Sequence, residues 1–167
     1  VMVSFKGVGV ALVTPFRENG SVDYNGLQKL VEYQVNNGTD YLVVQGTTGE
    51  SATLNSDEKI AVLDYIAEIN AKRLPIVLGI GGNNTLSVAK QLENLDASNV
   101  DGILSGSPYY NKPSQRGIIE HYSVIAQATD LPIILYNVPG RTSSNVLAET
   151  TLEIASNVKN IVAVKEA

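Results

Sequence analysis

Apolar and β-branched residues gather in short runs at 8–13, 40–45, 75–79, 101–105, 132–136 and 161–165, each followed by a polar or glycine-bearing loop and then a helical pattern. The starts of these runs differ by 32, 35, 26, 31 and 29 residues. A strand of about five residues, a helix of about twelve and two short loops fill each interval. The runs are apolar throughout rather than alternating, as expected of parallel strands covered on both faces. Between them, start signals precede apolar stripes. Asp23 can cap a helix bearing Leu27, Leu30, Val31 and Val35, and Asn55 with Glu58 forms a capping box ahead of Ile60, Leu63 and Ile66. Asn84 or Thr85 precedes Val88, Leu92 and Leu95; Ser114 precedes Ile118, Tyr122 and Ile125; Asn145 precedes Leu152 and Ala155. Gly38 is a natural left-handed stop for the first helix. The pattern predicts an α/β fold with parallel strands, and by itself leaves an open doubly wound sheet and a closed barrel as alternatives.

With 167 residues, of which 44% are hydrophobic and 17% charged, a single domain with a real core is expected. Twelve basic against 17 acidic residues give a net charge of −5, so no basic stripe is present to displace counterions from nucleic acid. Without cysteine, disulfides, thiolate nucleophiles and cysteine zinc sites are excluded, and the single histidine, His121, cannot build a histidine-rich metal site. His121 falls in a helical pattern and reads as a solvent-edge residue. The stretch 1–6 lacks the apolar core of a signal peptide, and no apolar run approaches the ~18 residues of a bilayer span. A cytoplasmic protein that binds neither membrane nor nucleic acid is expected. Gly79-Ile80-Gly81-Gly82-Asn83-Asn84 follows a strand but has Asn84 where a dinucleotide loop needs its third glycine.

Residues with chemical potential follow the strands. Thr14 follows the first run, Gly46-Thr47-Thr48-Gly49-Glu50 the second and Asn83 the third. Ser107-Pro108-Tyr109-Tyr110-Asn111 follows the fourth, Tyr136-Asn137-Val138-Pro139-Gly140-Arg141 the fifth, and Lys165-Glu166 closes the sixth. Reactive groups on the carboxyl ends of parallel strands are what a (β/α)-barrel enzyme requires. Lys165 ends a run expected to be buried on both faces, where desolvation disfavours an ammonium and favours a neutral amine able to form an imine. A lysine at a strand end can equally snorkel into solvent. Thr47 and Thr48 between glycines can hold a small carboxylate, or merely make a tight turn. Tyr109, Tyr110 and Tyr136 can relay protons or simply pack with wet hydroxyls. Arg141, beyond the Pro139-Gly140 turn, can clasp a second carboxylate or lie on the surface.

Together, Gly46-Thr47-Thr48-Gly49-Glu50-Ser51, Tyr136-Asn137-Val138-Pro139-Gly140-Arg141-Thr142 and Val164-Lys165-Glu166 resemble the successive signatures of the dihydrodipicolinate synthase and N-acetylneuraminate lyase family. Thr47-Thr48, the stretch from Ser107 to Pro113, and Arg141 resemble its synthase branch. The resemblance implies a (β/α)8 barrel fold. It also implies a class I, Schiff-base condensation of pyruvate with aspartate semialdehyde, on the way to diaminopimelate and lysine. Lys165 would form the pyruvyl imine, Tyr136 would move protons, and Thr47 and Tyr110 would complete its relay. Thr48 would hold the pyruvate carboxylate and Arg141 that of the semialdehyde. No metal or organic cofactor is implied, and a homo-oligomer, dimer or tetramer, is.

Two departures from the family pattern stand out. At the cleft where family members bind lysine, Ser51, Ala52, Asn83 and Tyr109 match, but Ser56, Lys59 and Ser87 replace characteristic polar residues, which implies weak lysine feedback. A whole barrel takes about 250 residues, so residues 1–167 are expected to be the amino-terminal part of one barrel domain. That part is an incomplete barrel of about six parallel strands, without the last two strand–helix units and the carboxyl-terminal helical region. Other readings are a different pyruvate aldolase, acting on N-acetylneuraminate or a 2-keto-3-deoxy sugar acid, and a non-catalytic half-barrel module.

Overall fold

All six expected strands form, each within two residues of its anticipated bounds, in a computed structural model that describes residues 3–167. Val1 and Met2, where the amino-terminal stretch begins, lie outside the described residues. The chain divides into two units, the first running to Gly79 and including Ala97–Asp101, the second made of Ile80–Asp96 and Gly102–Ala167. Every strand pair within them is parallel, with helices between successive strands, which is the α/β class read from the hydrophobic runs.

In the first unit, β1 (Gly9–Ala11), β2 (Tyr41–Val44) and β3 (Ile76–Gly79) pair in that order, with Gly9 beside Tyr41 and Leu42 beside Ile76. Helix α1 (Tyr24–Asn36) is capped by Asp23, whose carboxylate accepts from the Asn25 amide at 3.1 Å, and it buries Leu27 and Val31. Helix α2 (Ser56–Asn70) opens on the expected capping box: Asn55 accepts from the Glu58 amide and Glu58 from the Asn55 amide, both at 2.9 Å. The buried face of α2 is Val62, Ile66 and Asn70. Ile60, expected in the core, is 61% exposed, because at 3.6 residues per turn it lies roughly 200° around the helix from Val62.

The second unit holds β4 (Gly102–Gly106), β5 (Ile133–Asn137) and β6 (Ile161–Glu166), with β5 central. Helix α3 (Thr85–Glu93) is capped by Asn84 and α4 (Gln115–Gln127) by Ser114; the two helices pack on each other. A short helix, α5 (Pro139–Thr142), stands where the sequence suggested a turn, with proline at a first-turn position that its fixed φ favours. Helix α6 (Ala148–Asn157) starts three residues after Asn145 and buries Thr150 and Ile154. Leu152 is 68% exposed, displaced from that face by the same two-residue phase as Ile60.

A polar cluster lies inside this unit. The Tyr122 hydroxyl donates to the Ser105 carbonyl at 2.9 Å and lies 3.3 Å from Ser107 Oγ; burial pushes its phenol well above the usual range. His121, far from a solvent-edge residue, is 2% exposed. Its position on α4 faces α3, where Nδ1 meets Thr85 Oγ1 at 2.9 Å, and Nε2 meets no partner among the described residues. Desolvation lowers its pKa from 6.5 to about 4. The folded state therefore keeps the ring neutral while the unfolded chain binds a proton once pH falls below 6.5. Stability attributable to His121 is complete at neutral pH and lost as pH falls from 6.5 to about 4. At about 1.4 kcal/mol per unit, wild type should lose up to about 3 kcal/mol more than His121→Gln over that window, read by urea denaturation at both pH values. Parallel curves for the two proteins would contradict this.

Candidate active site

The pairing of β5 with β6 sets the central geometry. Ile133 faces Ile161, but the ladder then slips by one residue, so that Ile134 pairs with Ala163, Leu135 with Val164, Tyr136 with Lys165 and Asn137 with Glu166. Uninterrupted pairing from Ile133 and Ile161 would have set Lys165 beside Asn137. In a strand, such a one-residue slip turns a side chain to the opposite face. The offset brings Lys165 and Tyr136 to the same face, with the lysine Nζ 4.4 Å from the centre of the phenol ring. Tyr136 is 6% exposed and Lys165 half-buried.

The expectation that β6 is buried on both faces does not hold: Val162 and Val164 are 41% and 42% exposed. Within its unit β6 is the edge strand, paired only with β5, whereas every residue of β5, which has a strand on either side, is buried. The exposed flank of β6 and α6 border a cavity of about 570 Å³ lined by Val164, Glu166, Asn145, Leu147 and Leu152, among others.

Elsewhere in the second unit, the loop after β4 buries Ser107 and Pro108 and then exposes Tyr109 and Tyr110, at 49% and 86%. Tyr110 has a left-handed backbone, φ 69°. The Asn111 side-chain amide donates to the Asn83 carbonyl at 2.6 Å, which joins the tyrosine loop to the loop ahead of α3. Arg141 sits on α5 with its side chain exposed. The turn after it is fixed by Thr142 Oγ1, which bonds to the carbonyls of Val138 and Ser144 at 3.2 and 2.7 Å.

In the first unit, Thr47–Gly49 forms a 3-10 turn in which the amides of Gly49 and Glu50 bond to the Gly46 and Thr47 carbonyls. Those two amides serve the turn rather than a guest, while the Thr47 and Thr48 side chains are exposed. Buried Thr14, beyond β1, anchors the turn by donating to the Gly49 carbonyl at 2.6 Å. Gly79 permits the approach, since a Cβ there would overlap the Gln45 carbonyl, and Gln45 itself adopts φ 58°. Ser51 and Ala52 follow in a second 3-10 turn, half-buried and exposed respectively.

Sequence alone assigns no chemical role to Asn137 or Asn145. The Asn137 side-chain nitrogen donates to Glu166 Oε1 at 2.8 Å and to Asn145 Oδ1 at 2.9 Å, and its side-chain oxygen accepts from the Val146 amide at 3.0 Å. The available signal was a strongly polar residue directly after a wholly apolar run, with a carboxylate one position past the lysine. Among the described residues, no cluster of three or more His, Cys, Asp or Glu could hold a metal ion, and no helix is long and apolar enough to cross a membrane.

Consecutive parallel strand–helix repeats with polar and ionisable residues following the strand ends define an α/β protein of the (β/α)-repeat class. Comparison with known proteins narrows this. The chain belongs to the dihydrodipicolinate synthetase family, whose model matches residues 4–167. It is 58% identical over 165 residues to a 4-hydroxy-tetrahydrodipicolinate synthase of Parabacteroides distasonis, covering 99% of this chain and 56% of that protein. The crystal structure of dihydrodipicolinate synthase from Thermotoga maritima superimposes with a TM-score of 0.93 at 46% identity, over 98% of this chain and 55% of that one. A chloride-inhibited dihydrodipicolinate synthase from Acinetobacter baumannii, crystallised with pyruvate, gives 0.93 at 41% identity, over 98% and 56%. The chain thus spans little more than half the length of these relatives.

A cation over a phenol contributes only about 0.5–1 kcal/mol when partly exposed. Replacing Lys165 with methionine should accordingly leave the unfolding free energy within about 1 kcal/mol of wild type, measured by chemical denaturation. A loss several times larger would make Lys165 a structural strut rather than a residue held for chemistry.

Proposed function

We propose that this chain carries the imine-forming part of a class I aldolase that condenses pyruvate with aspartate semialdehyde, the step that commits carbon to diaminopimelate and lysine. The observation that carries the reading is the lysine amine 4.4 Å from the Tyr136 ring, on paired positions of adjacent strands. Its support from outside the chain is the synthase activity named for a relative at 58% identity.

In this reading the Lys165 amine nitrogen attacks the ketone carbon of pyruvate. Water leaves, and the imine forms. Loss of a methyl proton gives the enamine, whose carbon attacks the aldehyde. Tyr136 donates and accepts the protons of these steps, with Thr47 and Tyr110 as its relay. Thr48 holds the pyruvate carboxylate, and Arg141 holds the carboxylate of the semialdehyde through its planar fork. The protonated imine is itself the electron sink, so the reaction as written uses neither metal nor organic cofactor. The protein works as a homo-oligomer in the cytoplasm, with Ser51, Ala52, Asn83 and Tyr109 the remnant of a lysine cleft that responds weakly.

The test is steady-state condensation by the full-length protein. Aspartate semialdehyde should be preferred over neutral polyol aldehydes. Arg141→Ala should raise its KM by about 10- to 100-fold, the 1.5–3 kcal/mol of a hydrogen-bonded charge. Tyr136→Phe should lower kcat by about 10²- to 10⁴-fold, as for loss of a general acid–base. A preference for polyol aldehydes would move the protein to the sugar-acid lyases. A Tyr136→Phe variant at the wild-type rate would remove Tyr136 from the mechanism.

A further inference from the structure

We infer that Asn137 and Glu166 are positioning residues: their hydrogen bond, tied to the loop after α5 through Asn145 and Val146, holds Lys165 and Tyr136 in register. The inference rests on the reading of Lys165 as the imine lysine and deepens it.

The one-residue offset between β5 and β6 decides which residues meet. Everything the lysine does depends on pairing with Tyr136 rather than Asn137, and that pairing follows a register shift between Ile133 and Ile134. Next to such an irregularity a ladder needs further bonds to fix its register. Beyond the offset, the pair of positions directly after Tyr136 and Lys165 is Asn137 and Glu166, on the opposite face from the two site residues. There the Asn137 Nδ2 donates to Glu166 Oε1 at 2.8 Å, and the Ala167 amide donates to the Asn137 carbonyl oxygen of the backbone at 3.0 Å. One side-chain bond and one backbone bond thus close the ladder just past the site.

The same side-chain amide reaches a third element. Its other N–H donates to Asn145 and its oxygen accepts from the Val146 amide, both in the segment between Arg141 and α6. Asn137, 2% exposed, uses both donors and one acceptor lone pair. This one group thus joins β5 and β6, one position past Tyr136 and Lys165, to the segment following Arg141. A single side-chain hydrogen bond of this kind contributes little to overall stability. The arrangement fixes geometry rather than holding the fold.

Residue chemistry makes the inference testable. An aspartate at 137 has no donor. Asn145 can turn its amide around to serve it, but the Glu166 carboxylate cannot, and two anions then oppose each other across the strands. Glutamine at 166 restores a donor facing the new carboxylate. Four full-length proteins should be compared: wild type, Asn137→Asp, Glu166→Gln and the double variant, by kcat, KM for pyruvate and thermal unfolding. Asn137→Asp should lower kcat by about 10²-fold, the scale of a misplacement of about 1 Å at the reacting atoms, while KM for pyruvate changes much less. Adding Glu166→Gln should recover about tenfold or more, as expected for side chains of one network. Should Asn137→Asp not fold, Glu166→Ala at the other end of the bond should show the same selective fall in kcat with the melting temperature kept.

The inference is overturned if Asn137→Asp keeps the wild-type kcat, if its activity loss follows its thermal destabilisation alone, or if the double variant is no faster than Asn137→Asp. A substrate-free readout separates this from the proposed function: the rate of reductive methylation of Lys165 by formaldehyde and cyanoborohydride, followed by peptide mass. A rate altered by Asn137→Asp and restored in the double variant supports positioning even if wild type forms no pyruvate imine. A rate that is the same in all four proteins refutes it.

Discussion

The slipped pairing of β5 and β6 is the constraint on which the site depends. A parallel ladder is held by evenly spaced backbone bonds, and side chains alternate strictly between faces. A single extra residue on one strand therefore re-aims every side chain after it. Here that residue falls between Ile161 and Ala163, early in β6. Its consequence is felt at the far end of the ladder, where an amine and a phenol meet on one face while an amide and a carboxylate meet on the other. Both contacts follow from one local irregularity.

The surroundings supply rigidity in two forms. Apolar burial fixes β4 and β5, whose Ile103, Ile133 and Leu135 are fully buried. Saturated polar bonds then fix what burial cannot: Thr14 holds the Gly46–Gly49 turn in the first unit, and Thr142 and Asn137 hold the segment around Arg141 in the second. The cluster of His121, Thr85, Tyr122, Ser105 and Ser107 locks α3 and α4 onto the strand that leads to the tyrosine loop. The cost of that cluster is a neutral imidazole that must be kept from water, which is why its effect on stability appears only in acid.

Much of this was legible in the sequence, and the failures share causes. Strands and caps were readable because each is a local signal: an apolar run, or an Asn, Asp or Ser whose side chain satisfies an otherwise unpaired amide. Ile60 and Leu152 read as core residues because they are large and apolar. Helix phase, set by Val62 and Ile66 in one case and Thr150 and Ile154 in the other, put them outside. His121 departs in the opposite sense, a polar residue on the buried face of α4, because its partner Thr85 lies 36 residues away. The slip at Ile133 has no residue signature, neither glycine nor proline, and arises from pairing between distant segments. Lys165 and Tyr136 can thus be singled out from sequence, but neither the pairing that brings them together nor the hydrogen bond between Asn137 and Glu166 can.

The chemistry proposed for the site stands or falls with Lys165 as the amine that captures pyruvate. It is tested by borohydride reduction of the full-length protein in the presence of pyruvate, followed by peptide mass mapping. A single reduced pyruvyl adduct is expected, on Lys165, and absent without pyruvate. An adduct on another lysine, or condensation that proceeds with no reducible adduct at all, would contradict that assignment.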